Sequence, residues 1–279
     1  MRWWRAPAKI NLALHVLQRR PDGFHQLDSL VAFAGVSDWL GFEPKDRLEL
    51  TVEGPTAAAC GSLEGNLVLK AAGALVKRVP DLKIGWFRLI KCLPAAAGLG
   101  SGSADAAAAL RAIANHNNLK LDDERLLSAA VETGADVPAC LHPRARRVTG
   151  IGELLGAAVL IPTFFVVLVN PGVASPTRIV FDLLGPPKGT ALDQTPKNIT
   201  VEFLANCSND LEQPAKRLNP IVGTVLDALA GLPKVKFVRM SGSGATCFAL
   251  FDDFRHASRA RDLIASNHPD WWTQAAVLR

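Results

Sequence analysis

Along residues 8–17 apolar and polar positions alternate, with Ile10, Leu12, Leu14 and Val16 on one side and Lys9, Asn11 and His15 on the other. A period of two predicts a half-buried strand. Residues 46–53 repeat that pattern and close on Gly54-Pro55, a second strand with a turn behind it. Beyond Asn66 the spacing lengthens, and Leu67, Val68, Ala71, Ala72, Leu75 and Val76 share one face of a helix that Asn66 can cap. Residues 84–93 predict a strand and the alanine-rich run from Ala106 to Leu110 a helix; 121–133 form another helix, capped by Asp122 or Asp123 and stopped at Gly134. The most apolar stretch, 157–169, reads as a buried strand, continuous in its second part from Phe164. It contains Pro162 and is too short to span a membrane. A helix over 220–230, with Pro in its first turn and Gly231 as terminator, precedes a strand, glycine turn and strand over 235–251. A last helix over 254–267 and a last strand over 272–278 end the pattern. The mixture is α+β, with a boundary near Leu160-Ile161-Pro162 that predicts domains over 1–160 and 161–279. Residues 185–197, with three prolines, predict a loop.

Between the strand at 84–93 and the alanine helix lies Pro94-Ala95-Ala96-Ala97-Gly98-Leu99-Gly100-Ser101-Gly102-Ser103-Ala104-Asp105. Glycines at alternate positions let the backbone turn tightly and approach a ligand with no Cβ in the way. The loop opens straight into a helix N-terminus, where free N–H groups and the positive end of the dipole favour a phosphate. Ser101 and Ser103 add hydroxyls for phosphate oxygens or Mg²⁺. A flexible hinge capping a buried helix would use similar glycines, though it needs no such order of Gly and Ser. No Lys follows, so this is not a P-loop, and the sixth position counted from Gly98 is Ser103, so it is not a dinucleotide fingerprint.

Composition narrows the classes. The chain has 279 residues, 49% hydrophobic, 20% charged and 6% aromatic, enough for a sizeable core. A net charge of +5 suits anionic substrates and is weak for a dedicated nucleic-acid binder. Cys60, Cys92, Cys140, Cys207 and Cys247 are scattered, without metal-ligand spacing, and read as reduced thiols of a cytoplasmic protein. Met1-Arg2-Trp3-Trp4-Arg5 is basic, but Lys9 and Asn11 break the apolar run behind it, so the start does not read as a convincing targeting signal.

The loop resembles the second motif of the galactokinase, homoserine, mevalonate and phosphomevalonate kinase superfamily, Pro-x-x-x-Gly-Leu-Gly-Ser-x-Ser-Ala. Ser241-Gly242-Ser243-Gly244-Ala245 matches the third motif, which lies by the phosphates. Pro7-Ala8-Lys9-Ile10-Asn11-Leu12 and Arg20-Pro21-Asp22-Gly23-Phe24-His25-Gln26-Leu27 resemble one member family, the 4-diphosphocytidyl-2-C-methyl-D-erythritol kinases. Phe24 stands where that family commonly has Tyr, and Ser101 where it often has Gly. Asn209-Asp210-Leu211-Glu212 resembles a further family segment, of structural character.

The resemblance implies an N-terminal domain like domain two of ribosomal protein S5 and a ferredoxin-like C-terminal domain. It implies transfer of the γ-phosphoryl of ATP, with Mg²⁺, to the 2-hydroxyl of 4-diphosphocytidyl-2-C-methyl-D-erythritol, in the non-mevalonate route to isoprenoids. Asp136, in Gly134-Ala135-Asp136-Val137-Pro138, falls where the family has its catalytic base. Lys9 would keep Asp136 ionised and offset charge on the phosphoryl group, and Asn11 would orient the pair. Phe24 and His25 would hold the cytosine on one face and Phe181 on the other. Asn66 falls beside the adenine, where it is either a nucleotide contact or a plain cap. Pro94 to Ala104 would cradle the phosphates; no carboxylate stands out as a metal ligand. Arg144, Arg146 and Arg147 are basic enough for phosphate contact but equally suit a solvated face. The partners implied are ATP and one small molecule, with no nucleic acid and no membrane, in a monomer or homodimer. The Phe24-His25 pair separates the chain from members acting on homoserine or mevalonate, which carry no base to stack. Lys9 and Asp136 together, with no Lys/Arg run longer than two, separate it from an inactive nucleic-acid-binding relative.

Overall fold

The computed structural model describes residues 1–187, 189–192 and 198–278. In chain order the strands are β1 (Arg2–Arg19), β2 (His25–Pro44), β3 (Glu49–Glu53), β4 (Gly85–Ile90), β5 (Arg146–Gly150), β6 (Leu154–Ala158), β7 (Phe164–Asn170), β8 (Phe237–Met240), β9 (Cys247–Phe251) and β10 (Trp272–Leu278). The helices are α1 (Leu67–Val76), α2 (Ser101–His116), α3 (Glu124–Thr133), α4 (Val137–Leu141), α5 (Thr177–Asp182), α6 (Val201–Ala205), α7 (Glu212–Leu218), α8 (Ile221–Ala230) and α9 (Phe254–Asn267). Two compact units emerge, each assembled from separate stretches. Of the residues up to Leu160, 9–36, 96–99 and 144–160 belong with the second unit.

The first unit comprises Met1–Ala8, Ser37–Ala95 and Gly100–Pro143. The second half of β2 pairs antiparallel with β4, from Trp39 opposite Ile90 to Pro44 opposite Gly85, and β3 runs parallel to β4. Alternate residues of β4 are buried, so Phe87 and Leu89 enter the core with Leu40 and Phe42. Phe42 meets Phe87 at 5.2 Å between ring centroids and His116 of α2 at 5.8 Å, which lays α2 on the inner face of the sheet. Small side chains allow that helix to pack closely on α1, α3 and α4, and eleven of its residues are buried.

The second unit comprises Lys9–Val36, Ala96–Leu99 and the chain from Arg144 onward. Its sheet runs β10-β7-β9-β8, with antiparallel neighbours throughout. Numbered by appearance that order is 4-1-3-2, with α9 crossing between the last two strands: the ferredoxin-like arrangement. Val167, Val169, Val222, Val225, Leu229, Met240, Phe251 and Ile264 form its core. The first half of β2 pairs with β5, and β5 with β6.

Several expectations change. β1 is longer than 8–17, and its middle is buried on both faces, Lys9 and Asn11 included, so it is not half-buried. The twenty residues of β2 escape a period-two reading because Leu30–Ala34 is an unbroken buried run. The stretch 157–169 is not one buried strand: Leu154–Ala158 is exposed throughout, and the buried strand starts only at Phe164, past Pro162. The third helix starts at Glu124, capped by Asp123, whose carboxylate accepts the Arg125 N–H. α4 to α7 are too short for periodicity to reveal. Of the loop expected over 185–197, residues 188 and 193–197 lie outside the described residues.

Candidate active site

Lys9 and Asn11 stand two residues apart on β1, so their side chains share one face of the strand. Both are buried, at 5% and 4% exposure. An ammonium costs free energy in such a place unless it is hydrogen-bonded, and Lys9 Nζ donates to Asn11 Oδ1 at 3.2 Å. Asn11 Nδ2 donates in turn to Ser29 Oγ at 2.8 Å, and Ser29 Oγ to the Ala13 carbonyl at 2.6 Å. The carboxamide is therefore held from both ends, and the Lys9 head with it.

The glycine turn between β8 and β9 joins this group. The Asn11 N–H donates to Ser241 Oγ at 3.1 Å, and Ser241 Oγ donates to the Gly98 carbonyl at 2.8 Å. The Lys9 N–H donates to the Leu99 carbonyl at 2.9 Å, and the Thr246 N–H to the Ala97 carbonyl at 3.2 Å. Residues 96–99 are thus stitched to β1 and to the 241–246 turn. Gly98 has φ +76°, and a Cβ there would lie 2.1 Å from the Ser241 carbonyl oxygen, so only glycine fits. Asn209 supports the turn from behind, donating from Nδ2 to the Met240 and Gly242 carbonyls, each at 2.8 Å. That is the structural part expected of the 209–212 segment.

Also in the second unit, Arg20 to Phe24 make the turn read from Pro-Asp-Gly. Gly23 has φ +86°, and Asp22 Oδ1 accepts the Phe24 N–H at 3.1 Å. Phe24 stands 57% exposed. His25 stacks on Phe181 of α5, with centroids 4.7 Å apart and planes 21° from parallel. Partial burial lowers the His25 pKa, helped by Arg19 and opposed by Asp182, so the imidazole is neutral at pH 7.

In the first unit α2 begins at the end of the glycine loop, as the sequence predicts. Gly100 is the N-cap, left-handed at φ +58°, and brings no side chain to the amides of the first turn. Those N–H groups have no partner within the helix and point out of its N-terminus. Ser101 is buried and turns its hydroxyl back onto the Pro94 carbonyl at 3.2 Å; Ser103 stays half-exposed. Asn66 caps α1, its Oδ1 accepting the Val68 N–H at 2.9 Å. Asp136 is half-buried at the N-terminal end of α4, and its carboxylate does not cap that helix.

Two charged groups escaped the sequence reading. Arg147, read as a phosphate contact or a solvated side chain, forks onto buried Asp28, with Nε 2.6 Å from Oδ1, and also donates to the Leu192 carbonyl. In the first unit, Lys91, Asp38 and Asp105 form a buried cluster. For the second group the available signal was Asp105, a carboxylate among alanines; the first left none in the local sequence.

The family models that match are the GHMP kinases N terminal domain over residues 66–144 and the GHMP kinases C terminal domain over 199–270. A 4-diphosphocytidyl-2-C-methyl-D-erythritol kinase from Methylobacterium radiotolerans is 50% identical over 99% of this chain and 98% of its own. One from Bradyrhizobium diazoefficiens is 48% identical over 97% and 96%. The chain belongs to the 4-diphosphocytidyl-2-C-methyl-D-erythritol kinase family. It is a kinase of the GHMP type, and those kinases use ATP. A crystal structure of a 4-(cytidine 5'-diphospho)-2C-methyl-D-erythritol kinase superposes with a TM-score of 0.77 at 32% identity, over 99% of both chains. A homoserine kinase from Cytophaga hutchinsonii superposes at 0.70 with 16% identity, over 99% of this chain and 93% of its own, and shares the fold. Among the described residues no helix is long and apolar enough to cross a membrane.

Proposed function

We propose that this protein transfers the γ-phosphoryl group of ATP to the 2-hydroxyl of 4-diphosphocytidyl-2-C-methyl-D-erythritol, a step towards isoprenoids. A tertiary alcohol is hindered and far too weak an acid to ionise near pH 7, so a positioned base is required. Asp136 takes the hydroxyl proton as the oxygen attacks phosphorus and the bond to the β-phosphate breaks, releasing ADP. Lys9 offsets the negative charge that gathers on the transferring group, and Asn11 fixes the direction of its ammonium. Support for those two roles is the buried Lys9–Asn11–Ser29 chain, more elaborate than a structural lysine on a strand needs.

Phe24, His25 and Phe181 take the cytosine. Because His25 and Phe181 already lie face to face, the base stacks on an outer face of that pair and on exposed Phe24, not between His25 and Phe181. A neutral imidazole offers one donor and one acceptor for its edge. The amides of Ser101, Gly102 and Ser103, with the backbone from Pro94 to Gly100, hold the phosphates. Asn66 stands at the start of α1 as a nucleotide contact through the part of its carboxamide not engaged in the cap. Among the described residues no three carboxylates, histidines or cysteines gather as a metal cage. The donor set instead fits a Mg²⁺ carried by the phosphates, with the Ser103 hydroxyl as protein ligand. When bound, Mg²⁺ neutralises phosphate charge.

The observation that carries the reading is that buried Lys9 and Asn11 and the stacked His25–Phe181 pair belong to one compact unit. Asp136→Asn tests the assignment of the base. The variant is expected to fold and bind ATP while losing several orders of magnitude in turnover. Turnover within about tenfold of the parent, roughly 1.4 kcal/mol of barrier, would remove Asp136 from the mechanism.

A further inference from the structure

Within the first unit, the entrance and the exit of the phosphate loop converge on one buried ammonium. Lys91 follows β4 and leads into the loop; its Nζ donates to Asp38 of β2 and, at 2.7 Å, to Asp105 of α2. The three side chains are 2%, 0% and 5% exposed. The second oxygen of Asp38 accepts the N–H groups of Cys92 and Leu93, the latter at 2.8 Å. Thr56 Oγ1 donates to the Leu93 carbonyl at 2.8 Å, and the Lys91 N–H to the Glu53 carbonyl at 2.7 Å. The N–H groups of residues 91–93 and the Leu93 carbonyl are therefore tied down on the way into the loop, and Asp105, one turn into α2, is tied to the same ammonium.

We propose that Lys91 is a positioning residue for the nucleotide, clasping the loop at both ends so that the first-turn amides of α2 meet the phosphates at a fixed spacing. The proposal rests on the glycine loop being the nucleotide site. Stability alone does not account for the cluster. Two buried carboxyl groups crowd one ammonium in a dry interior, which is costly to desolvate, and apolar side chains of similar volume generally serve a core as well or better. Asp105 Oδ1 has no hydrogen-bond partner at all, a further cost of the arrangement. What three apolar side chains would not supply is a directional link between the strand that enters the loop and the helix that leaves it.

A charge-removal pair separates positioning from stability. Lys91→Met strands two buried carboxylates and is expected to lower the melting temperature. Lys91→Met with Asp105→Leu removes one of the two stranded carboxylates, leaves Asp38 to the N–H groups of Cys92 and Leu93, and is expected to regain part of the loss. ATP dissociation constants, read by calorimetry without turnover, are expected to be weaker by about tenfold or more in both variants, since small misplacements at a site carry penalties of that order. KM for the alcohol substrate is expected to stay within about twofold in the double variant, an effect too small to signal a lost contact. If Lys91→Met alone does not fold, the double variant carries the test. ATP affinity that returns together with stability would reduce Lys91 to a structural residue and overturn the proposal. Gly100→Ala, which strains the N-cap of α2, serves as the control on the loop. If it weakens ATP and the double variant does not, the clasp fails while the nucleotide loop stands. If neither variant weakens ATP, the loop is not the nucleotide site, and both readings fall.

Discussion

Asn11 accepts from Lys9 on one side and donates to Ser29 on the other, so a single carboxamide sets the direction of a buried ammonium. Asn11→Ala is expected to lower kcat by about ten- to a hundredfold and leave the ATP KM nearly unchanged, since it disturbs orientation and not nucleotide binding; steady-state kinetics in both substrates checks this. Phe181→Ala should act in the opposite sense. Losing one stacking face costs about 1–3 kcal/mol, read as a raised KM for the cytidine substrate with kcat and ATP KM little changed. Lys9, Asn11, Phe24 and His25 stood out in the sequence only through the resemblance of their segments to a known family, since polar residues on a strand and an aromatic at a turn are ordinary in themselves. Asp136 also stood out as a carboxylate in an apolar setting. Ser29, Ser241 and Arg147 did not, since their importance lies in partners more than a hundred residues away or on another strand.

Gly98 shows how far a local element depends on one remote from it. Its carbonyl accepts from Ser241, and its missing Cβ leaves room for the Ser241 carbonyl. Gly98→Ala forces an L side chain into a left-handed conformation and against backbone 2.1 Å away. The expected result is a loss of about 1–3 kcal/mol in unfolding free energy, with weaker ATP binding, checked by denaturant titration and calorimetry. Glycine spacing revealed the loop and the 241–245 turn separately, but nothing in the pattern revealed that they are hydrogen-bonded together. Long periodic elements such as α9 and β10 were legible to the residue, because amphipathic period and end signals agree over their whole length. β2 was not, because a strand buried on both faces has no period to read.

At the scale of the whole molecule the buried cluster leaves a pH signature on stability. Burial, against the pull of Lys91, raises the Asp105 pKa from an ordinary 3.8 to about 7. The folded chain thus keeps a proton that the unfolded chain has already released between about pH 4 and 7. Folding binds protons across that window, so stability falls as pH rises through it and levels off above. Asp105→Asn retains the hydrogen-bond acceptor and removes the titration; its melting temperature should decline less than the parent's between pH 5 and 7.5. Equal declines would assign the proton elsewhere. The ferredoxin-like order 4-1-3-2 rests on pairings such as β7 with β10, across about a hundred residues, which periodicity does not encode. It became legible only through the resemblance of three motifs in order. Substrate identity is the claim on which the rest depends, and coupled ADP release from the purified protein with ATP and Mg²⁺ tests it most directly. With 4-diphosphocytidyl-2-C-methyl-D-erythritol, homoserine and mevalonate run in parallel, turnover is predicted with the cytidine compound alone; turnover with either of the others, and none with it, would contradict the account.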